Sequence, residues 1–254
     1  MNVYTTDKIR NVVLLGHGGS GKTTIVEAMA YLSGITNRMG TVTDGNTISD
    51  YDKEETKRLF SINTSVVPII WDDVKINILD TPGYFDFVGE VEEAVSAADA
   101  AIIVVSGKNG IEVGTKKAWE ICEKYKLPRM VFVTDMDIDN ASYRQVVTDL
   151  QELYGKKIAP FHLPIRENEE FVGYVNVLQQ RAKRWTADGN VEKTEVPEKL
   201  DAPVKSGTPV GQITYLLNGE KWGSCQAVVK ETVRRRTFTW IAMKMCEMFY
   251  QFNF

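Results

Sequence analysis

Histidine is scarce in this sequence: His17 and His162 stand far apart, and the three cysteines, Cys122, Cys225 and Cys246, form no C-x-x-C pair. These shortages exclude a disulfide framework and a zinc centre of the usual ligand spacing, and they leave the thiols as reduced structural groups. No run of 18 apolar residues occurs, so no membrane-spanning helix is expected. The opening MNVYTTDKIR lacks the basic, apolar, small-residue order of an export signal, which points to a cytoplasmic protein. Nor is one sign of charge in excess, since 30 Lys and Arg against 34 Asp and Glu give a net charge of −4. That balance supplies no global electrostatic reason to expect nucleic acid as the main ligand.

What is present is an alternation. From Ile9 to about Leu153, runs rich in Val and Ile (NVVLL, VVPIIW, KINILD, AAIIVV, MVFVT) are separated by KTTIVEAMAYL, GTKKAWEICEKY and SYRQVVTDLQELY, whose apolar positions recur at helical period. Continuous apolar runs read as strands buried on both faces, and strand-helix alternation predicts an α/β fold with a doubly wound, mostly parallel sheet. The segment DYDKEETKR reads either as a solvated charged face or as a switch segment.

The texture changes after about Arg184. GQITYLL and CQAVVKE flank NGEKWGS, and Asn218-Gly219 is a tight-turn signal because both central positions of a type I′ turn need positive φ. The predicted organisation is therefore residues 1–187 as one domain, 188–233 as a small β module, and 234–254 as an amphipathic helical tail. In that tail Arg234, Arg235 and Arg236 precede a segment whose Lys244, Glu247 and Gln251 share one helical face. A membrane surface or a protein partner would suit it.

The chemistry is concentrated in GHGGSGKTT. Gly16, four residues, then Gly21, Lys22 and Thr23 fit G-x-x-x-x-G-K-[ST] between a predicted strand and a predicted helix. Main-chain N–H groups of Gly16, His17, Gly18, Gly19, Ser20, Gly21 and Thr24 can turn toward a phosphate at a helix N-terminus, Lys22 can reach its outer oxygens, and Thr23 can bind Mg2+. A second element, Asp80-Thr81-Pro82-Gly83 at the end of KINILD, offers a carboxylate for the metal shell and a Gly83 N–H for a γ-phosphate.

With these residues in view, the chain resembles the G domain of translational GTPases, elongation factor G and its paralogues in particular. The likeness is carried by GHGGSGKTT, GTVTDGNTISDYDKEETKR, DTPGYFDFVGEVEEAVSAADAAIIVV and GIEVGTKKAWEICEKYKLPRMVFVTDMD, and it runs from about Lys8 to about Arg184. FHLPI and FVGYVNVL are similar to the start of the insert found within that G domain. The resemblance implies binding of GTP or GDP with Mg2+, GTP hydrolysis, and a ribosome as partner. It assigns the metal to Thr23, Ser61 and Asp80, the phosphates to Lys22 and Gly83, and guanine recognition to Asp137.

Three departures accompany the likeness. Tyr84 stands where the family has a water-positioning histidine, and a phenol keeps its proton at neutral pH although it can still orient water. TDMD keeps only Asp137 of N-K-x-D, with Thr134 and Asp135 in place of the asparagine and lysine. The family's last strand, base-backing loop and closing helix are not found. VPEKLDAPVKSGTPVGQITYLLNGEKWGS is instead similar to the C-terminal domain of D-alanyl-D-alanine carboxypeptidases, and the tail to their membrane anchor. Peptidase chemistry is not implied, because no serine is followed three residues later by lysine. The expectation is a C-terminally truncated or rearranged G domain whose last strand forms a bare sheet edge. A remnant or adaptor that binds nucleotide without useful turnover is the alternative.

Overall fold

The computed structural model describes residues 3–167, 170–179, 181–186, 191–194, 209–217 and 220–228. The chain divides into two compact units, Met1–Tyr174 and Val175–Phe254.

The first unit contains β1 (Ile9–Gly16), α1 (Lys22–Leu32), α2 (Lys53–Arg58), β2 (Ser65–Trp71), β3 (Val74–Asp80), α3 (Val88–Ser96), β4 (Ala100–Ser106), α4 (Val113–Lys124), β5 (Arg129–Thr134), α5 (Tyr143–Tyr154), β6 (His162–Glu167) and the start of β7 (Glu170–Asn176). Five strands form a sheet in the order β2-β3-β1-β4-β5. All neighbours run parallel except β2 and β3, which form an antiparallel hairpin. Its turn is Asp72-Asp73, with φ of 47° and 63°. Positive φ at both positions gives a two-residue turn whose twist suits the flanking strands.

Side chains of β1 alternate between two cores. Val13 and Leu15 join Ile103 and Val105 of β4 beneath α3, α4 and α5, while Leu14 joins Ile78 and Val104 beneath Ile25, Val26 and Ala30 of α1. Burial on both faces is what the continuous apolar runs predicted for the central strands. The edge strands differ. Val67 and Ile69 of β2 are buried, whereas Val66 and Ile70 are 58% and 41% exposed. On β5, Met130 and Phe132 are 38% and 44% exposed, on the face that carries Val104 of β4. Among the described residues α1 is the helix on that side, and it packs on β1, β2 and β3. Among the described residues β5 is a sheet edge, as expected.

DYDKEETKR is a largely solvated segment, with Tyr51, Asp52, Lys53, Glu54, Lys57 and Arg58 exposed and Asp50 and Glu55 buried. It forms α2, closed by a capping box in which Asp52 accepts the Glu54 N–H at 2.7 Å and Glu55 accepts the Asp52 N–H at 3.2 Å. Glu55 is turned inward and is 2% exposed.

In the second unit β8 (Arg181–Trp185) pairs antiparallel with β9 (Val191–Thr194). β10 (Pro209–Leu217) pairs antiparallel with β11 (Glu220–Val228), and Leu217 lies opposite Glu220. Asn218-Gly219 and the tail 234–254 lie outside the described residues. Among the described residues no helix is long and apolar enough to cross a membrane.

Candidate functional site

β1 delivers the chain to Gly16, whose φ of +150° and approach to β4 leave no room for a side chain. A Cβ there would lie 2.5 Å from the Val104 carbonyl oxygen. The loop then turns into α1 through Gly21 in a left-handed conformation. Lys22 folds back beneath the loop, and its Nζ donates to the carbonyls of His17 at 2.8 Å and Gly16 at 3.2 Å. Burial lowers its ammonium pKa to about 8, opposed by the negative charges of Asp80, Asp50 and Glu112.

Asp80 ends β3 directly below. Its Oδ2 accepts the hydroxyls of Thr23 at 2.9 Å and Ser49 at 2.8 Å, and the Thr23 oxygen lies 3.3 Å from Ser61 Oγ. Asp80 Oδ1 is buried with no hydrogen-bond partner among the described residues, and so is Oδ2 of nearby Asp50. Burial pushes Asp80 up to about 6 against the pull of the two hydroxyls and Lys22, and burial likewise raises Asp50. Two orphaned carboxylate oxygens beside two hydroxyls are hard donors and suit Mg2+. Among the described residues no group of three or more His, Cys, Asp or Glu could hold a metal ion unaided. Magnesium does not require one, since it keeps waters and takes substrate phosphates as ligands.

The buried carboxyl has a consequence for the nucleotide-free protein. Its native pKa of about 6 lies above the ordinary 3.8, so the folded state takes up this proton first. Its contribution to stability is complete below about pH 4 and is lost as the pH rises to about 6, by on the order of 3 kcal/mol. Asp80→Asn is therefore expected to show a flatter stability profile across that window in urea unfolding. Equal slopes for parent and variant would contradict the assignment.

The second switch meets the loop at close range. A Cβ on Gly83 would lie 2.6 Å from both Gly18 N and Lys22 Nζ, so only glycine lets these backbones approach. Tyr84 lays its ring over Gly18, where a Cβ would meet ring carbon Cζ at 2.9 Å. The Phe60 ring covers it at 4.8 Å between centroids. His17 points away from this group, with Nε2 3.5 Å from Glu112 Oε1 at the start of α4 and a buried, unpartnered Nδ1.

At the far side of the loop, Thr134 Oγ1 donates to the Ser20 carbonyl at 2.8 Å and lies 3.3 Å from the Val105 carbonyl. Thr134, standing where the resemblance has an asparagine, thus ties β5 to the loop. Asp135, with φ of 54°, accepts the Ser106 hydroxyl at 2.5 Å. Asp137 is exposed in the turn beyond and makes no hydrogen bond to the loop.

The structure therefore gathers the loop residues from Gly16 to Thr24 with Ser61, Asp80, Gly83 and Tyr84, and Asp137 lies three residues beyond Thr134, which bonds to the loop at Ser20. It also adds residues that the sequence reading did not name. Ser49 donates to Asp80 and Asp50 is buried with an unpartnered Oδ2, and Glu27, 2% exposed on α1, accepts the N–H of Gly40 at 2.7 Å and that of Ile48. Only Glu55 carried a local signal, the D-x-x-E of its capping box.

Residues 7–238 match the family described as elongation factor Tu GTP binding domain. The chain is 37% identical over 193 residues to an elongation factor G-like protein of Mycobacterium tuberculosis, covering 76% of this chain and 26% of that protein. It is 37% identical over 182 residues to a mitochondrial ribosome-releasing factor 2 of Anopheles gambiae, covering 72% and 25%. Elongation factor G of Chlamydia caviae is 35% identical over 200 residues, covering 78% and 29%. A crystal structure from Thermus thermophilus superposes with a TM-score of 0.71 at 41% identity, covering 75% of this chain and 28% of that one. The chain thus spans between a quarter and a third of the length of these relatives.

Proposed function

We propose, from the premise that the chain belongs to the elongation factor Tu GTP binding domain family, that it binds GTP with Mg2+ and hydrolyses it in connection with ribosomal translation. One observation carries the reading: Thr23, Ser61 and Asp80, from three separate segments, meet within hydrogen-bond distance beside an unpartnered buried carboxylate oxygen. Thr23, Ser61 and Asp80 would hold the metal, with Asp50 behind them. Mg2+ when bound neutralises charge on the phosphate oxygens.

The chain's own groups supply the rest. Main-chain amides from Gly18 to Thr23 face the phosphates, Lys22 places its ammonium against the outer oxygens, and the Gly83 N–H senses the terminal one. Tyr84, already seated on Gly18, is the group within reach of an attacking water. Thr134 fixes the loop from the base side. Ribosome association rests on the names of the relatives, and the protein-partner or membrane role of the tail on sequence alone.

A second reading, nucleotide binding without useful turnover, is favoured by two features. Tyr84 offers a phenol where the resemblance calls for a histidine, and the Asp135 carboxylate is engaged with Ser106.

The test combines titrations of N-methylanthraniloyl-GTP and N-methylanthraniloyl-ATP, each with Mg2+, with single-turnover hydrolysis in the presence and absence of ribosomes. GTP is expected to bind at least about tenfold tighter than ATP, since a site built for guanine leaves polar groups unpaired with adenine. Ribosome-stimulated hydrolysis supports the first reading, and tight binding without turnover the second. Failure of both nucleotides to bind would remove the two together.

A further inference from the structure

The metal position depends on Ser61, and Ser61 lies in the irregular turn between α2 and β2. No ladder fixes that turn. A carboxylate does. Glu55 Oε1 accepts the N–H groups of both Ile62 and Asn63, each at 2.9 Å, while Oε2 accepts the N–H of Asp52 at 3.2 Å. The two amides on Oε1 belong to the two residues that directly follow Ser61. The amide on Oε2 closes the capping box, which requires nothing of Oε1.

Burial separates this arrangement from ordinary helix capping. A capping glutamate at a helix start normally sits in water, where its bond contributes modestly. Glu55 is 2% exposed, and among the described residues its hydrogen-bond partners are three main-chain amides. Burying a carboxylate is costly, and three charge-assisted N–H bonds offset that cost only while the 61–63 backbone keeps this path. The far end of the turn is held separately, by Thr64 N–H to Glu90 Oε2 at 2.8 Å.

We propose that Glu55 is a positioning residue for the metal site: through the amides of Ile62 and Asn63 it sets Ser61 Oγ beside Thr23. The inference rests on the metal-binding reading above and extends it to a side chain that touches neither metal nor nucleotide. Removing Glu55 frees the two amides, and Ser61 then samples positions away from Thr23.

Two measurements on the full chain test it. In the nucleotide-free protein, Glu55→Ala accelerates amide exchange at Ile62 and Asn63 by about tenfold or more, while the sheet amides of Val13 and Leu14 keep their parental rates. In N-methylanthraniloyl-GTP release assays, Glu55→Ala raises the Mg2+ concentration needed for half-maximal retention by about tenfold, the scale for residues that orient metal ligands. Ser61→Ala has a similar effect, and the double variant is no worse than Ser61→Ala alone, because both changes remove one contribution. Glu55→Asp, which keeps the charge and withdraws the acceptor by one methylene, gives a smaller rise and carries the cycle if the alanine variant does not fold. A parental Mg2+ requirement in these variants, or additive losses in the double variant, overturns the assignment. A parent protein whose nucleotide retention ignores Mg2+ sinks the metal reading instead, so the two failures are distinguishable.

Discussion

Lys22→Ala is expected to weaken GTP binding by at least about a hundredfold, the largest effect of any single substitution in this chain. Lys22 is 6% exposed, and its ammonium already bears the cost of burial, seen as a pKa near 8. Two of its three N–H donors are held by the Gly16 and His17 carbonyls, which aims the charge into the loop. Phosphate oxygens entering the loop would exchange neutral acceptors for charged ones. Hydrogen bonds between charged partners contribute roughly 1.5–3 kcal/mol each, so one or two of them account for about tenfold to about ten-thousandfold in affinity.

The alanine variant should nonetheless fold. It loses two bonds to carbonyls, but it also sheds a buried cation, and these effects oppose each other. Retained helical circular dichroism with lost binding is the expected pair of results. The parent adds a pH signature of its own. Because Lys22 loses its proton near pH 8, GTP affinity should fall as the pH rises through that value, and the variant should lack this fall. Binding within about fivefold of the parent would show that the ammonium does not hold the phosphates.

The steps of this site that were legible in the sequence are the short-range ones. KTTIVEAMAYL becomes α1 with the same limits, and KINILD ends its strand on Asp80, because apolar period, glycines and helix start all lie within a few residues of one another. The parts that were not legible depend on distance. Ser49 reaches Asp80 across 31 residues and Thr134 reaches Ser20 across 114, and neither segment has a period or motif that announces the contact. Strand direction is equally silent in composition. VVPIIW and KINILD read as strands, yet the Asp72-Asp73 turn that makes them an antiparallel hairpin lacks the usual glycine. Glu27 and Glu55 look like surface charges on helices until the amides that they accept are seen. A carboxylate satisfied by main-chain N–H groups leaves no trace in the sequence of its partners, since every residue but proline supplies one.

The same limit applies to Tyr84, whose substitution produces the second large effect. Residue type alone allows either a water-orienting hydroxyl or a plain aromatic lid. The structure lays the ring on Gly18 and against Phe60, and leaves 43% of the residue exposed. In the Tyr84→His variant an imidazole occupies this seat with a nitrogen that can accept a proton or a water hydrogen bond near neutral pH. Positioned proton-transfer groups contribute about 10²–10⁴-fold, so single-turnover GTP hydrolysis with ribosomes should rise by ten- to a hundredfold. Affinity for GTP should change by less than about threefold, because the ring contacts the loop and holds no phosphate donor. The rate should also gain a dependence on pH, rising through the ordinary histidine range near 6.5 as the imidazole becomes neutral. Tyr84→Phe separates the two roles of the parent residue. A loss of about tenfold identifies the hydroxyl as the group that orients water, whereas an unchanged rate identifies a lid. If hydrolysis by the Tyr84→His variant stays at the parental level with GTP bound, the seat on Gly18 is not the place from which water attacks, and the chain is a binder whose second switch only covers the phosphates.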